Sequence, residues 1–366
     1  MIDPSAVLLE TLRLGRELAP AEIRSAWQGL DTGGLSGVVV QEGCALWLYR
    51  RLHSAGAESA PPEAFASWLS QRARNHAARN LLVDARVSEL SAWLTKNGYP
   101  HVWLKGAARR VGAARYPYAD ARATNDVDLI LPQDVVDAVW EHLRRLGYEP
   151  ASAPDLTPPN HWHLLPLWNT DRVAVELHPS TSNEVAPGEA WRRATCGAEF
   201  VSRDGLSFAI PCATELLWHS IAHGLHHGPA GFRLRYLQDA SVILASAAPI
   251  DWTVIVGRLG SSEMPSRDLA LAWFGAAALL SGRPLPPEMS GVPPFPLDRA
   301  LRWRLAVERH LGRHPRAAEK LVEEGTRAEI GWPILPGVSG TSPAVRFRRR
   351  LAAVVARGVY RTWRVL

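Results

Sequence analysis

Cysteine, lysine and long apolar runs are all scarce in this 366-residue chain, and each scarcity closes off a class of protein. Cys44, Cys196 and Cys212 are odd in number and scattered, so neither a disulfide framework nor a cysteine metal site is implied. A reducing, cytoplasmic setting fits best. The longest apolar run, Leu269 to Leu280, falls well short of the roughly 20 residues that a bilayer-spanning helix requires, and it reads as a core helix. No membrane span is expected. Between Met1 and Pro20 no basic cluster precedes an apolar run, because Glu10, Arg13, Arg16 and Glu17 break the segment at helical spacing; no signal peptide is expected. Internal repeats are also missing.

What is present points to a folded chain. At 47 % hydrophobic and 21 % charged residues the composition is that of a globular protein with enough apolar side chains for two or three cores. The net charge of +5 is carried almost wholly by arginine, and lysine occurs only at positions 96, 105 and 320. Each lysine therefore stands out.

Apolar residues recur at helical spacing through residues 1–90, in Val7, Leu8, Thr11, Leu12 and Leu14 and again from Ala64 to Leu82. From about residue 91 to 210 short β-rich runs alternate with helices. The spacing predicts a helix over Asp84 to Asn97, a strand over His101 to Leu104, a helix from there to about Arg115, and a strand over Val127 to Leu131. A helix over Asp134 to Leu146 follows, then strands at His161 to Trp168 and Arg172 to His178 joined at Asn169-Thr170-Asp171. Residues 211–335 read as a helical domain, and 336–366 as a basic terminal helix. The last stretch, Gly331 to Leu366, holds seven arginines and no acidic residue. The expected fold class is α+β, a small mixed sheet flanked by helical regions at both ends.

The most informative string is Arg122-Ala-Thr-Asn-Asp126-Val-Asp128-Leu-Ile-Leu131, a polar loop running straight into an apolar strand. In a strand, residues i and i+2 project from one face about 6–7 Å apart, so Asp126 and Asp128 can converge on one metal cluster while Val127 enters the core. Hard divalent cations take oxygen ligands, and magnesium keeps positions open for water and phosphate. Glu176, in Val173-Ala-Val-Glu-Leu-His178, is placed to add a third carboxylate from a neighbouring strand. Alone, an Asp-x-Asp is more often a solvated strand entry. Leu104-Lys105-Gly106 changes the balance, because a lysine and a glycine at a strand-to-helix junction suit a phosphate beside exposed backbone N–H groups.

The order strand, Lys-Gly, helix, Arg-x-x-Asn-Asp-x-Asp strand, helix, strand and Glu strand resembles the DNA polymerase beta-like nucleotidyltransferases, and more closely a bacterial nucleotidyltransferase family within them. That family's pattern matches Leu104-Lys105-Gly106, Tyr116-Pro117, Arg122, Asn125 to Asp128, Leu146-Gly147-Tyr148, His161 with His163, and Val175 to His178. The resemblance spans about residues 95–260. Lys-Gly stands where the wider superfamily has Gly-Gly or Gly-Ser, and His161-Trp-His163 spaces its histidines differently from an adjacent pair.

The resemblance implies that Asp126, Asp128 and Glu176 hold two magnesium ions, with manganese an alternative, and that Lys105, Gly106, Arg122 and Asn125 bind a nucleoside triphosphate, ATP being the commonest among relatives. His161, His163, His178, His219, His223 and Asp239 would contact the acceptor or the phosphates, and Arg233 and Arg235 would share a cleft wall with Asp239. The reaction would move a nucleoside monophosphate to a small-molecule or peptide acceptor. Transfer RNA is the alternative acceptor, and a catalytically degenerate nucleic-acid binder using the arginine tail is the alternative class. One rival constellation, His219-x-x-x-His223 with His226 and His227, has the i, i+4 spacing of zinc ligands on a helix but lacks the glutamate of a metalloprotease helix.

Overall fold

Apolar residues at every third or fourth position build the longest element, helix α5 (Glu63–Lys96), in which Phe65, Leu69, Ala73, Val83, Val87, Leu90 and Leu94 are buried. No breaker separates the two helices expected here, so they are one rod of 34 residues, about 50 Å long. It ends at Asn97, and Gly98 takes the left-handed conformation (φ 72°) that closes a helix. The computed structural model describes residues 3–112, 116, 118–151, 162–289, 291 and 293–311. The arginine-rich segment 336–366 and His161 lie outside them.

Four helices precede the rod: α1 (Pro4–Leu12), α2 (Pro20–Trp27), α3 (Leu35–Glu42) and α4 (Ala45–Ser54). After it come β1 (Val102–Trp103), α6 (Lys105–Val111), β2 (Asp126–Ile130), α7 (Gln133–Arg145), β3 (Glu149–Pro150), β4 (Leu167–Trp168) and β5 (Ala174–His178). These five strands form one mixed sheet in the order β1-β2-β5-β4-β3, parallel only between β2 and β5. Leu167–Trp168 is much shorter than the strand expected over 161–168; Pro166 lies just before it and has no N–H to donate toward β5.

Helix α8 (Pro187–Thr195) and a hairpin of β6 (Glu199–Arg203) and β7 (Leu206–Ile210) were not among the expected elements. The hairpin turns at Asp204-Gly205, both with positive φ (51° and 77°), the pairing that a two-residue loop favours. Helices α9 (Ala213–His226), α10 (Leu234–Ala245), α11 (Trp252–Arg258), α12 (Arg267–Ser281) and α13 (Leu297–Leu311) complete the described chain. The α+β class expected from the sequence is the one observed. Among the described residues no helix is long and apolar enough to cross a membrane.

One continuous apolar core joins side chains from α1, such as Leu8, through Trp47, Val87, Val127 and Val175 to Leu237, Phe274 and Leu301. Leu14 donates its backbone N–H to Leu280 O (2.7 Å), and Gly15 packs against Gly282 so tightly that a Cβ on Gly15 would lie 2.4 Å from the Gly282 Cα. A buried ion pair adds a polar lock: Glu42 on α3 accepts from Arg304 Nη1 on α13 (2.5 Å) and from the backbone N–H of Leu234 at the start of α10 (2.7 Å). Both side chains are 1 % exposed.

Removing one partner strands the other in the core, which costs roughly 3–5 kcal/mol. Glu42→Ala is therefore expected to lower the unfolding free energy by an amount in that range in urea titrations followed by circular dichroism. A loss below about 1 kcal/mol, the value of an exposed pair, would show that Glu42 does not lock α3 to α10 and α13.

Candidate active site

The parallel pairing of β2 and β5 sets Asp128 opposite Glu176 and Ile130 opposite His178. Alternation then puts Asp126, Asp128, Glu176 and His178 on one face of the sheet, while Val127, Leu129, Val175 and Leu177 enter the core. Asp128 is the centre. It is 1 % exposed, and its Oδ1 accepts from Lys105 Nζ (2.6 Å) and pairs with His178 Nε2 (3.0 Å). The same two side chains approach Glu176 Oε2, each at 3.7 Å.

Lys105 reaches Asp128 because the chain turns sharply between β1 and α6. Leu104 N–H bonds to Asp128 O (2.9 Å), and Lys105 then adopts φ 44°, a left-handed conformation unusual for a residue with a Cβ and typical of strained functional positions. Its ammonium is thus turned onto the carboxylates. Gly106 beside it serves a close approach of side chains: a Cβ there would lie 2.4 Å from Arg122 Nη1 and 2.8 Å from Thr124 Cγ2. The glycine gives Arg122 its seat across the start of α6.

The loop from 118 to 125 is tied to α5. Asn80 donates to Arg122 O (2.8 Å) and Asp120 O (3.3 Å) and accepts from Thr124 N (3.0 Å). Arg79 donates to Asp171 O (2.8 Å) and to Arg172 O at the entry to β5. The entries to both carboxylate strands are thereby fastened to one helix. Asn125 is exposed, and its carbonyl accepts a long bond from Arg79 (3.4 Å).

On the far side of Lys105, Asp239 of α10 is shared by two guanidiniums. Arg122 Nε lies 3.1 Å and 3.2 Å from its two oxygens, and Arg109 Nη1 pairs with Oδ1. Arg109 was not singled out from the sequence; it follows Lys105 by four residues, one helical turn, a spacing that would have placed it beside the cleft. Arg235 lies over the Tyr236 ring, 4.5 Å from its centroid, and donates to its hydroxyl (2.6 Å). Lys105, Arg109, His219, His223, Tyr236 and Asp239 line a narrow cleft next to the carboxylates.

The electrostatics follow from this crowding. Burial raises the Asp126 carboxyl to about 6, helped by neighbouring Asp128 and opposed by Lys105 and Arg122. Asp128 goes the other way: burial would raise it, but Lys105 and the hydrogen bond from His178 hold it well below the usual carboxylate range. Burial would depress Lys105, yet Asp128, Glu176 and Asp126 outweigh it and raise the ammonium above its ordinary value. His178 is likewise raised, burial being overcome by its bonds to Asp128 and Glu176, so it acts as a donor. His219 is pushed down to about 3, and His223 well below its ordinary value, by burial first and then by Lys105. Both are neutral imidazoles.

Among the described residues, Asp128, Glu176 and His178 form the group of three whose ligand atoms lie within 4.8 Å of one another. Asp126 flanks that group. His163 bonds through Nδ1 to Leu164 O (2.7 Å), with its ring 5.3 Å from that of His178. The rival constellation has a close pair, His223 Nε2 and His227 Nε2 at 3.4 Å, but no three-ligand group of described residues includes them.

In protein freed of metal, the raised Asp126 carboxyl makes a signed prediction. A group whose folded-state pKa is raised favours the fold most below its unfolded value near 3.8 and loses that contribution as pH rises to about 6. Asp126→Asn has no such loss. Its melting temperature relative to the parent should therefore climb between pH 4 and pH 7 and then level off, read by differential scanning fluorimetry in EDTA. A flat difference across that window would show that Asp126 is not a buried carboxyl crowded by its neighbours.

Residues 31–269 match the model of a family described as uncharacterised nucleotidyltransferase. No curated protein matches the chain significantly. Among solved structures, an antigenic nucleotidyltransferase-like protein from Paracoccidioides brasiliensis is similar at 17 % identity over 54 % of this chain and 92 % of that one, with a TM-score of 0.35.

Proposed function

The chain belongs to the uncharacterised nucleotidyltransferase family, and from that premise we propose that it moves a nucleoside monophosphate from a nucleoside triphosphate, ATP in the first instance, to a hydroxyl on a small-molecule or peptide acceptor. The observation that carries this reading is the register of β2 on β5, which sets Asp128 beside Glu176 with Asp126 next to them on the same face. Such packing of partly buried carboxylates is unfavourable without a cation, and Asp126 carries that cost: burial first, then Asp128, raises its carboxyl to about 6. A catalytically degenerate binder would have no use for it.

The donors fit a divalent cation. Asp128 and Glu176 offer the oxygens that magnesium or manganese prefers, and Asp126 is close enough to raise their joint negative charge. These three would hold the metal, whose chemistry is to neutralise phosphate charge and acidify the acceptor hydroxyl. His178 donates to Asp128 and fixes the direction of its other oxygen. Lys105 is the protein's own counter-charge at the carboxylates. Arg122 sits near enough to Asp126 and Asp128 for each to raise its pKa, after the opposing effect of burial and the pull of Asp239, and it is placed to share the triphosphate charge.

Glu176 is the base in this reading. It takes the proton as the acceptor oxygen forms its bond to the α-phosphorus, and the bond from that phosphorus to the bridging oxygen breaks, with the electron pair leaving on pyrophosphate. Lys105 and Arg122 stabilise the charge that develops on the leaving group.

The test uses triphosphates of the four bases labelled at either the α or the γ phosphorus, with magnesium or manganese and a fractionated pool of metabolites and peptides. Label from the α position should enter an acceptor with release of pyrophosphate, and Asp128→Asn should cut the rate by about 100-fold or more while the circular dichroism spectrum is kept. Transfer of γ-label instead would make the protein a kinase and overturn the proposal.

A further inference from the structure

The sheet face that carries the carboxylates extends past them to an aromatic side chain. Strand β4 pairs with β5 so that Trp168 lies opposite Ala174, and Ala174 lies opposite Asp126 on β2. Paired residues share a face, so Trp168 stands on the side of Asp126, Asp128 and Glu176, while Leu167 enters the core with Val175. Trp168 is thus the diagonal neighbour of Glu176, a spacing of about 7–8 Å that long and aromatic side chains bridge. Unlike the narrow cleft beside Lys105, this position is open. Trp168 is 37 % exposed, and among the described residues no ring or cation packs on it.

Trp168, Asn169, Thr170 and Arg172 line, with Gly147 and Glu149, an open groove of about 460 Å³. The chain through it is fastened from several sides. Arg172 N–H bonds to Asn169 O (2.9 Å), Val173 N–H to Asp171 Oδ1 (2.9 Å) and Arg86 Nη2 to Asp171 Oδ2 (2.6 Å), while Arg79 donates to the carbonyls of Asp171 and Arg172. Within that frame Arg172 keeps φ 57°, a left-handed conformation that is costly for a residue with a Cβ. Arg172 is exposed and, among the described residues, makes no ion pair. A loop fixed beforehand loses little freedom on binding, and an aromatic face beside a free guanidinium suits a planar ring that carries an acidic group. Glu149 gives the lining one negative charge against the single positive charge of Arg172, so a polyanion such as RNA finds no track of cations to follow there.

The side of entry follows from the order of the strands. Lys105 and Arg122, which take the triphosphate in the transferase reading, sit at the start of α6 and over β2, whereas Glu176, the base in that reading, is on β5 with β4 next to it. An acceptor hydroxyl that reaches Glu176 from the side away from the triphosphate comes over Trp168. We propose that Trp168 is the platform on which the acceptor's ring lies, and that the acceptor is a hydroxylated aromatic acid whose hydroxyl points to Glu176 and whose acidic group meets Arg172. This deepens the transferase reading and rests on it for the direction of the hydroxyl. Binding to the platform is measurable without turnover.

The probe is para-hydroxyphenylacetate, followed on the full chain by saturation-transfer-difference NMR without triphosphate. The parent should bind it at millimolar concentration through its ring protons. Trp168→Ala should weaken that binding about 10-fold or more, and Trp168→Phe by no more than about threefold, because phenylalanine keeps a ring face. Arg172→Met should weaken it about 10-fold while leaving tyrosol, the neutral alcohol of the same skeleton, unaffected. This arm holds even if Trp168→Ala fails to fold. Direction is read from relaxation by Mn²⁺: once the ion is taken up, the ring protons beside the hydroxyl should relax faster than the methylene protons beside the carboxylate. Absence of binding by the parent, equal binding of glycolate, which has no ring, or affinity unchanged by Trp168→Ala and by Arg172→Met would overturn the proposal. Faster relaxation of the methylene protons would overturn it too. Lack of Mn²⁺ uptake while para-hydroxyphenylacetate still binds would refute the transferase reading and leave the platform standing.

Discussion

The grip of Lys105 and His178 on one oxygen of Asp128 is the interaction on which the rest of the site depends. Three carboxylates share the sheet face around it, and at such separations like charges repel strongly in a partly buried setting. The protein answers with one buried ammonium and one imidazole, which suffice for Asp128 and leave Asp126 with a carboxyl raised to about 6. The charge left over is negative. A cation completes the arrangement, and a triphosphate carrying one would bring its own oxygens to the same place.

That arrangement demands a rigid frame. Lys105 has to enter α6 in a left-handed conformation to point at β2, a strain of about 1–3 kcal/mol. The turn is held by the Leu104 bond to Asp128 on one side and by the seat of Arg122 over Gly106 on the other. Helix α5 supplies the rest, since Asn80 and Arg79 fix the loops that lead into both carboxylate strands. The α5 rod begins in the segment, residues 1–90, that reads from the sequence as helical and runs on to Lys96. Its Asn80 and Arg79 hold the loops on either side of the paired strands.

Much of this was legible in the residues. Alternation in Asp126-Val127-Asp128 told which side chains share a face, and the strand-to-helix junction marked Lys105-Gly106, because both follow from local periodicity. That Glu176 lies on a strand beside Asp128 was an expectation, but the parallel register that sets the two opposite each other is a non-local property the residues do not carry. The direction of Lys105 was hidden because it turns on one φ angle, and the purpose of Gly106 because its neighbour, Arg122, comes 16 residues later in the chain. His178 looked like one histidine among several, and only its place opposite Ile130 on β5 brings it onto Asp128. The Asp204-Gly205 turn has the residue pair that a two-residue hairpin loop favours, a signal present in the sequence that was not used. Val83 carries the apolar stripe straight through the expected break in α5.

The claim beneath the whole account is that the paired carboxylates of β2 and β5 take up a divalent cation together with a nucleoside triphosphate. Electron paramagnetic resonance measures it directly, by following the loss of free Mn²⁺ signal as the protein is added with and without a non-hydrolysable triphosphate. The account predicts uptake of Mn²⁺ that the triphosphate strengthens and that Glu176→Gln greatly weakens. Uptake that is indifferent to the triphosphate and unchanged by Glu176→Gln would contradict it.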